Sequence, residues 1–467
     1  MASSSPTTNT TMNNCRISRV AVIGAGPGGL AAARALRDEN VFDTITVFER
    51  NSKVGGTWLY SKETNPPPPI PSTNALVVDP PSSLAAPYHQ PPYSAVYDNL
   101  NTNLPTTIMS YRDIPFPSKY PLFPNRKQVI DYIQDVAEKY DLLPMIRFNT
   151  TVVTVQQPED EESHDDNKRS WQVSVTYWHD DKTTHYTESF DAIVVANGKY
   201  YVPYIPDMDG LKDFSHVANV LHSQNYRRPQ DYEDKVVLVI GNGSSAADLV
   251  REISTTATKV YHCIRGEESS FSKTIGGENK PKNVERVGGL SQFDASTGII
   301  TCQDGKTIEN VDTVLFATGY LFSFPFLSFE KDNLITDGQT VFNLFQDMFY
   351  IKNPTLAFVG LPTRVVPMPF MQMQSMVIAR CFSGRAKFPS SKVMQEEVKD
   401  KKNDPKNLIM DIDSELAAFE RMGAWAEGYQ GKIEDWQSNN PITGRLSEKW
   451  IKDRHRQLEL RKEYLGY

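Results

Sequence analysis

The chain has 467 residues, and 49 Lys and Arg against 57 Asp and Glu give it a net charge of −8, the wrong sign for a nucleic-acid-binding surface. Its composition, 39% hydrophobic and 23% charged, is that of an ordinary globule of two or three domains, and no apolar run reaches bilayer-spanning length. The scattered cysteines, Cys15, Cys263, Cys302 and Cys381, form no C-x-x-C pair, which excludes a redox dithiol or zinc knuckle and leaves each as a small buried hydrophobe, with no metal expected.

Residues 1–16 are rich in Ser, Thr and Asn and lack a hydrophobic signal core, so a disordered tail and a cytoplasmic location are expected. From Ile17 the pattern changes. The apolar run Val20-Ala21-Val22-Ile23 leads straight into Gly24-Ala25-Gly26-Pro27-Gly28-Gly29, then into the small, helix-favouring run from Leu30 to Leu36. A second β-like run, Thr44 to Phe48, ends on Glu49 and Arg50. This is G-x-G-x-x-G in full strand–turn–helix–strand context. Its first glycine permits a tight turn, its second lets a pyrophosphate approach the backbone, and its third lets the helix pack on the strand. The helix start then offers unpaired N–H groups to phosphates. Glu49 stands where a carboxylate accepts hydrogen bonds from a ribose.

Residues 61–92 are broken by prolines, Pro66 to Pro69 above all, and cannot be regular helix or central strand; a linker and an ordered loop lying over the nucleotide both remain open. A helix is predicted over 127–139 from the apolar stripe Val129, Ile130, Tyr132, Ile133 and Val136, and strands over 150–155 and 171–177, with a solvated acidic loop from Pro158 between them. A buried strand from Phe190 ends at Gly198.

The glycine turn then recurs. Val236 to Ile240 runs into Gly241-Asn242-Gly243-Ser244-Ser245-Ala246, a helical stretch follows, and a strand over 259–264 ends on Arg265. Alanine at the third glycine position is a variant the fingerprint allows. Arg265 offers a guanidinium fork to the 2′-phosphate of NADPH, although Glu267 or Glu268, if turned inward, would favour NADH. Ser244 and Ser245 read either as donors to a pyrophosphate or as plain helix N-caps. A strand from Val311 ends at Gly319 much as the earlier one ends at Gly198, and the two bracket the second unit. The expected fold is therefore α/β, with two Rossmann-like dinucleotide-binding domains. An NADPH domain, 204–317, is inserted into a discontinuous FAD domain, 17–203 and 318–467. An anionic clasp in one unit and a cationic clasp in the other read as a flavoprotein that binds FAD and NADPH. The missing dithiol sets aside the disulfide reductases.

A further strand covers 356–360, and a methionine-rich apolar helix is predicted from about Met371, either core or with its start abutting the flavin. Beyond Lys392 the chain is charged and helical, with Trp425, Trp436 and Trp450 docking it onto the body.

Several segments resemble the flavin-containing monooxygenases, the yeast-type branch in particular, over nearly the whole chain after Ile17. They are the first fingerprint with Glu49-Arg50, Gly55 to Trp58, Asn99 to Asn103, Asn197-Gly198-Lys199-Tyr200 with Val202-Pro203, and Leu221-His222-Ser223. Further on come Ala317 to Tyr320, Phe349 to Ile351, Phe358 to Leu361, Val366-Pro367, Gln372 and Gln374. The family motif F-x-G-x-x-x-H-x-x-x-[YF] aligns on His222 and Tyr226 but finds His216 and Ala218 where Phe and Gly are expected. Its tyrosine end differs from the tryptophan of the related Baeyer–Villiger oxygenases. His222 is read as structural, in an inter-domain linker.

The resemblance implies a cycle in which NADPH reduces FAD, dioxygen forms a C4a-hydroperoxyflavin, and a soft sulfur or nitrogen nucleophile takes the distal oxygen, thiols being one class. Neither a G-x-S-x-G elbow nor H-E-x-x-H is present, as fits a reaction whose hard step belongs to the cofactor. Fingerprint and resemblance together assign FAD binding to Gly24, Ala25, Gly26, Pro27, Gly28, Gly29, Glu49, Arg50, Gly56, Thr57, Trp58, Asn103 and Gln372. They assign NADPH binding to Gly241, Asn242, Gly243, Ser244, Ser245 and Arg265. Asn103 matches the family asparagine beside the flavin and is the candidate catalytic donor, its other reading being a turn-former before Pro105. The partners expected are a small-molecule substrate and dioxygen, with no nucleic acid and no transmembrane segment; a homodimer remains open. Two other functions stay in view: a Baeyer–Villiger or N-hydroxylating oxygenase of specialised metabolism, and a nucleotide-sensing flavoprotein without turnover.

Overall fold

A computed structural model of the chain describes residues 16–80, 93–157, 170–179, 182–275, 281–327, 338–399, 408–428 and 446–465. The N-terminal tail with Cys15, the acidic loop from Pro158, and Trp436 lie outside the described residues.

Val20, Ala21 and Val22 are all fully buried, so the first strand, Arg19–Ile23, must be covered on both faces, as unbroken apolar runs in parallel sheets are. It sits inside a seven-stranded sheet, paired in parallel with Thr44–Phe48 on one side and Ala192–Val195 on the other. Ile146–Arg147 closes one edge, while Leu356–Phe358 and two short antiparallel strands, Phe349–Tyr350 and Leu344–Phe345, form the other. Residue parity divides the core. Val20 and Val22 face the helices Pro27–Glu39, Arg126–Lys139 and Pro367–Phe382. Ala21 and Ile23 face the antiparallel sheet of Thr150–Gln156, Trp171–His179 and Lys182–Phe190.

A second, all-parallel sheet has the order Val284–Val287, Lys259–Cys263, Val236–Ile240, Thr313–Phe316, Asn219–His222. Helix Ser244–Ile253 covers one of its faces and a small antiparallel sheet covers the other. All its strands fall between two neighbours of the first sheet, Ala192–Val195 and Leu356–Phe358, so the second unit is an insertion. The chain leaves and returns through a two-stranded ribbon, Val202–Pro203 against Tyr320–Leu321.

The helix predicted over 127–139 is Arg126–Lys139, closed at its start by a capping box in which the Asn125 side chain accepts from Gln128 N and the Gln128 side chain accepts from Asn125 N. Three expectations are corrected. The proline-rich segment contains one helical turn, Ala75–Val78, because residues 72–79 carry no proline and Asn74 caps the turn. The methionine-rich helix begins at Pro367, four residues before Met371, since proline is tolerated in a first turn that needs no N–H partner. His222 ends an edge strand of the second sheet rather than lying in a linker. The described part of the proline-rich segment is pinned down. Ser72 exchanges backbone hydrogen bonds with Ile205, and the buried Arg227 donates to the carbonyl oxygens of Ser61, Glu63 and Ser94 at 2.8–2.9 Å. Cys263, Cys302 and Cys381 are buried free thiols, and among the described residues no helix is long and apolar enough to cross a membrane.

Candidate functional site

A cavity of about 630 Å³ opens at the carboxyl ends of the first sheet, where strand exits at Gly24, Glu49, Ala196 and Val359 all contribute wall. The first glycine turn forms one side. A Cβ on Gly29 would lie 1.8 Å from the carbonyl oxygen of Gly24, so nothing larger than glycine lets the helix start there. Gly26 meets Gly56 backbone to backbone; a Cβ on Gly56, at φ +54°, would stand 2.8 Å from Gly26 Cα. Helix Pro27–Glu39 has Gly26 as its N-cap, no side-chain cap and no acidic residue in its first turn. Its first N–H groups are therefore left for a ligand.

Glu49 is buried with its carboxylate held from two sides: Oε2 accepts from Ala25 N at 2.6 Å, Oε1 from Asn51 N at 2.8 Å and Asn51 Nδ2 at 2.7 Å. A carboxylate offers about four acceptor sites, so one remains for a ribose hydroxyl. Ala25 is not on the lining; its N–H orients Glu49 instead. Arg50 is on the lining, stacked over the Tyr201 ring at 4.8 Å, and Gly56, Thr57 and Trp58 form a short 3-10 turn facing the same space.

Not every expected residue is brought to the cavity. Gln372, Asn103 and Gly29 are absent from the lining, although Met371, next to Gln372 in the chain, is on it. The Gln372 amide is engaged elsewhere: Oε1 accepts from Arg112 N at 2.8 Å and Nε2 donates to Asp113 at 2.9 Å. Asn103 is half-buried, and its amide has no hydrogen-bond partner among the described residues. Gln374, quoted in the resemblance but not placed in the site, supports the wall by accepting from Gly360 N at 2.9 Å. Two charged residues on the lining were not singled out as site residues. One is Asp79, from the proline-rich segment, a buried carboxyl taking a 2.6 Å hydrogen bond from Ser323 Oγ; burial pushes its pKa up, eased by that bond and by Arg50. The other is Lys199.

The second turn repeats the first with different company. Helix Ser244–Ile253 has Gly243 as its N-cap and no side-chain cap, so Ser244 and Ser245 occupy its first turn rather than capping it. A Cβ on Gly241 would lie 2.5 Å from the carbonyl oxygen of Ala317. The Asn242 side chain closes the neighbouring loop, donating to the Glu267 carbonyl at 2.7 Å and accepting from Ser269 N at 2.9 Å. Arg265 is exposed and without an ion pair among the described residues, whereas Glu268 is tied to Arg286. The fully buried His262, which no motif flagged, has Nε2 2.9 Å from the Gly241 carbonyl oxygen; burial lowers its pKa, which keeps the ring neutral and a donor at that nitrogen. His222 is also fully buried and off the cavity lining. Burial takes it down to about 4, and its Nδ1 accepts from Gln224 N at 3.2 Å, consistent with a structural role.

The two sites thus fit two adenine dinucleotides. Each offers an uncapped helix start; the first adds a carboxylate with spare acceptor capacity and a large cavity, the second an unpaired guanidinium.

Comparison with known proteins gives a consistent picture. The family described as flavin-binding monooxygenase-like matches residues 89–284 and 281–422, and a NAD(P)-binding Rossmann-like domain matches residues 22–100. The flavin-containing monooxygenase FMO GS-OX-like 4 of Arabidopsis thaliana is 37% identical over 396 residues, covering 82% of this chain and 80% of its own. The flavin-containing monooxygenase ustF2 of Aspergillus flavus is 29% identical over 438 residues, covering 83% and 86%. Among solved structures, the S-allyl-L-cysteine S-oxygenase of Allium sativum superposes with a TM-score of 0.73 at 26% identity, over 97% of this chain and 99% of that one. A cyclohexanone monooxygenase bound to ε-caprolactone superposes with a TM-score of 0.57 at 14% identity, over 89% and 99%, a likeness of fold alone.

Proposed function

The chain belongs to the flavin-binding monooxygenase-like family, and from that premise we propose that it transfers one atom of dioxygen to a soft nucleophile, sulfur before nitrogen. It is a flavin-dependent monooxygenase with FAD and NADPH as its cofactors. Bound flavin supplies hydride acceptance and dioxygen activation, while the protein binds, orients and excludes water.

The residues divide that work. The free N–H groups at the start of helix Pro27–Glu39 would hold the FAD pyrophosphate, and Glu49 the ribose. Gly56, Thr57 and Trp58 would border the flavin, with Arg50 steadying the nucleotide side of the cavity. Asn103, although off the cavity lining, would supply an amide N–H that does not titrate, a role favoured by its lack of a hydrogen-bond partner among the described residues. At the second turn the helix start and Ser244-Ser245 would take the NADPH pyrophosphate, and Arg265 the 2′-phosphate.

The observation that carries the preference for sulfur is the apolar part of the cavity wall. Met109, Val365, Met368, Phe370 and Met371 form that part, and a neutral sulfur compound meets such a wall at less desolvation cost than an ammonium does. The Allium neighbour is named for S-oxygenation of S-allyl-L-cysteine, a thioether, which supports this reading and a thioether substrate. Written in balance, a thioether, dioxygen, NADPH and a proton give a sulfoxide, NADP+ and water. The test is NADPH oxidation with product analysis on a thiol, a thioether, a tertiary amine and a ketone. Sulfoxide or oxidised thiol in step with NADPH consumption is expected. Ester from the ketone with no oxidised sulfur would establish the Baeyer–Villiger reading instead.

A further inference from the structure

Among the described residues, four charged side chains line the cavity: Glu49, Arg50, Asp79 and Lys199. Three of them are answered. Glu49 is held by Ala25 and Asn51, Arg50 lies over the Tyr201 ring, and Asp79 takes a hydrogen bond from Ser323 and is eased by the charge of Arg50. Among the described residues, Lys199 has no carboxylate against it. It follows the exit of strand Ala192–Val195, and its Nζ donates to the carbonyl oxygens of Leu361, at 3.0 Å, and Pro362, in the loop that follows strand Leu356–Phe358. Its other company is the Tyr200 ring, 5.6 Å away. An ammonium has three donors; two are committed and one is left. Held between two strand exits, the half-buried amine is fixed in place, and burial takes its pKa down to about 7. A cation without a counter-charge in such a place is costly by itself, and an anionic ligand removes the cost.

We propose that Lys199 is a phosphate-binding residue of the dinucleotide site, its remaining N–H donating to a phosphate oxygen of FAD or of NADPH. The inference rests on the cavity being that site. A phosphate is favoured over another anion because Gly24, Gly26 and Gly28, with the uncapped helix start, share the same lining. Those N–H groups are neutral donors, and a pyrophosphate carries two charges, which leaves room for a cation besides Arg50 in the same lining. Lys199 also sits three residues before Val202–Pro203, the strand by which the chain crosses to the second unit, which makes NADPH the alternative source of the phosphate.

The proposal carries a proton signature. Above about pH 7 the ligand-free amine is neutral, whereas a bound phosphate favours the ammonium, so binding takes up a proton. Affinity should then fall by up to roughly tenfold per pH unit over that range. Of the cavity's other titratable groups, burial pushes Tyr60 and Tyr200 up, and a hydrogen bond to Glu63 does the same for Tyr93, away from this range. Burial also pushes the Asp79 carboxyl up, and proton uptake that persists in Lys199→Met would belong to it.

The experiment uses the full chain as wild type, Lys199→Met and Lys199→Arg. Bound FAD is read from the flavin absorbance, FAD rebinding from calorimetry on deflavinated protein, and NADP+ binding from the perturbed flavin spectrum. Calorimetry at pH 8 in two buffers of different ionisation enthalpy counts protons. Lys199→Met should weaken FAD, or alternatively NADP+, by roughly tenfold or more, Lys199→Arg should restore most of it, and wild type alone should take up about one proton with that nucleotide. The nucleotide that responds names the source of the phosphate. Unchanged affinity for both, or the same proton uptake in Lys199→Met, overturns the proposal. Should Lys199→Met fail to fold, absence of proton uptake by wild type with either nucleotide still overturns it. A wild type that is colourless and refuses FAD would strike the cavity reading itself.

Discussion

A methyl group on Gly29 has nowhere to go, because its nearest neighbour is backbone and not the end of a side chain that can swing away. Gly29→Ala is therefore expected at or above the top of the about 1–3 kcal/mol range of overpacked sites. It should yield colourless or poorly folded protein, read from flavin absorbance and recovery; a yellow, stable variant would contradict the close packing of turn and helix. Arg265 makes the opposite case, an exposed side chain whose value lies in what it binds. Arg265→Ala should raise KM for NADPH by roughly tenfold or more, the worth of a charge-assisted contact, and leave KM for NADH nearly unchanged. Equal effects on the two would remove Arg265 from the phosphate site. The glycines, Glu49 and Arg265 are legible in sequence because each answers a local demand, a turn or the end of a strand. Asp79, Lys199 and His262 are not, because their meaning comes from distant partners. The carbonyls that hold Lys199 are 162 and 163 residues away, and no spacing rule joins them.

At the scale of elements, Asp113 gathers three helices. Its carboxylate takes Arg34 from helix Pro27–Glu39, Gln372 from helix Pro367–Phe382, and the hydroxyl of Tyr140 at the end of helix Arg126–Lys139. Burial works against the charge, but the hydrogen bonds from Arg34 and Gln372 outweigh it and bring the carboxyl from an ordinary 3.8 down to about 2. A carboxylate with a depressed folded pKa stabilises above its unfolded value and loses that contribution as pH falls through its folded value. The window here is 3.8 to about 2. With the side chain 45% exposed, solvent leaves the contribution at roughly 1 kcal/mol. Asp113→Asn should cost about that much at pH 7 and flatten the acid limb of the stability curve between pH 4 and 2, as measured by urea unfolding across pH. The long strands and helices around this junction were readable because burial on both faces or a 3.6-residue stripe writes itself into the chain. Two-residue strands such as Ile146–Arg147 and Leu344–Phe345 have no period to read, and the early start of the helix at Pro367 shows proline ruling out less than its usual reading suggests.

For the whole molecule, the insertion was legible from two glycine-ended strands that bracket the second nucleotide turn, but what fixes the inserted unit against its host was not. The fixing points converge on one helix. Asp248 and Glu252, both on Ser244–Ile253, are met by Tyr97 and Asn99 from the host side, and Asp248 is met again by the C-terminal helix Gln457–Leu465. There the buried Arg461 places one nitrogen 2.8 and 3.2 Å from the two Asp248 oxygens, across 213 residues of chain. The same helix begins at the NADPH turn, so the clamp holds in place the element whose start would hold the pyrophosphate. Removing one partner of a buried ion pair costs about 3–5 kcal/mol, and because Asp248 keeps Arg251 at 2.8 Å the lower figure applies. Arg461→Met is expected to destabilise the protein by about 3 kcal/mol. It should also speed hydrogen exchange in Ser244–Ile253 and raise KM for NADPH while FAD content stays at the wild-type level. Arg461→Lys should recover only part of this, since a single ammonium point charge replaces a guanidinium fork. If exchange in Ser244–Ile253 is unchanged while exchange across the first sheet rises, the C-terminal helix braces the host rather than the inserted unit.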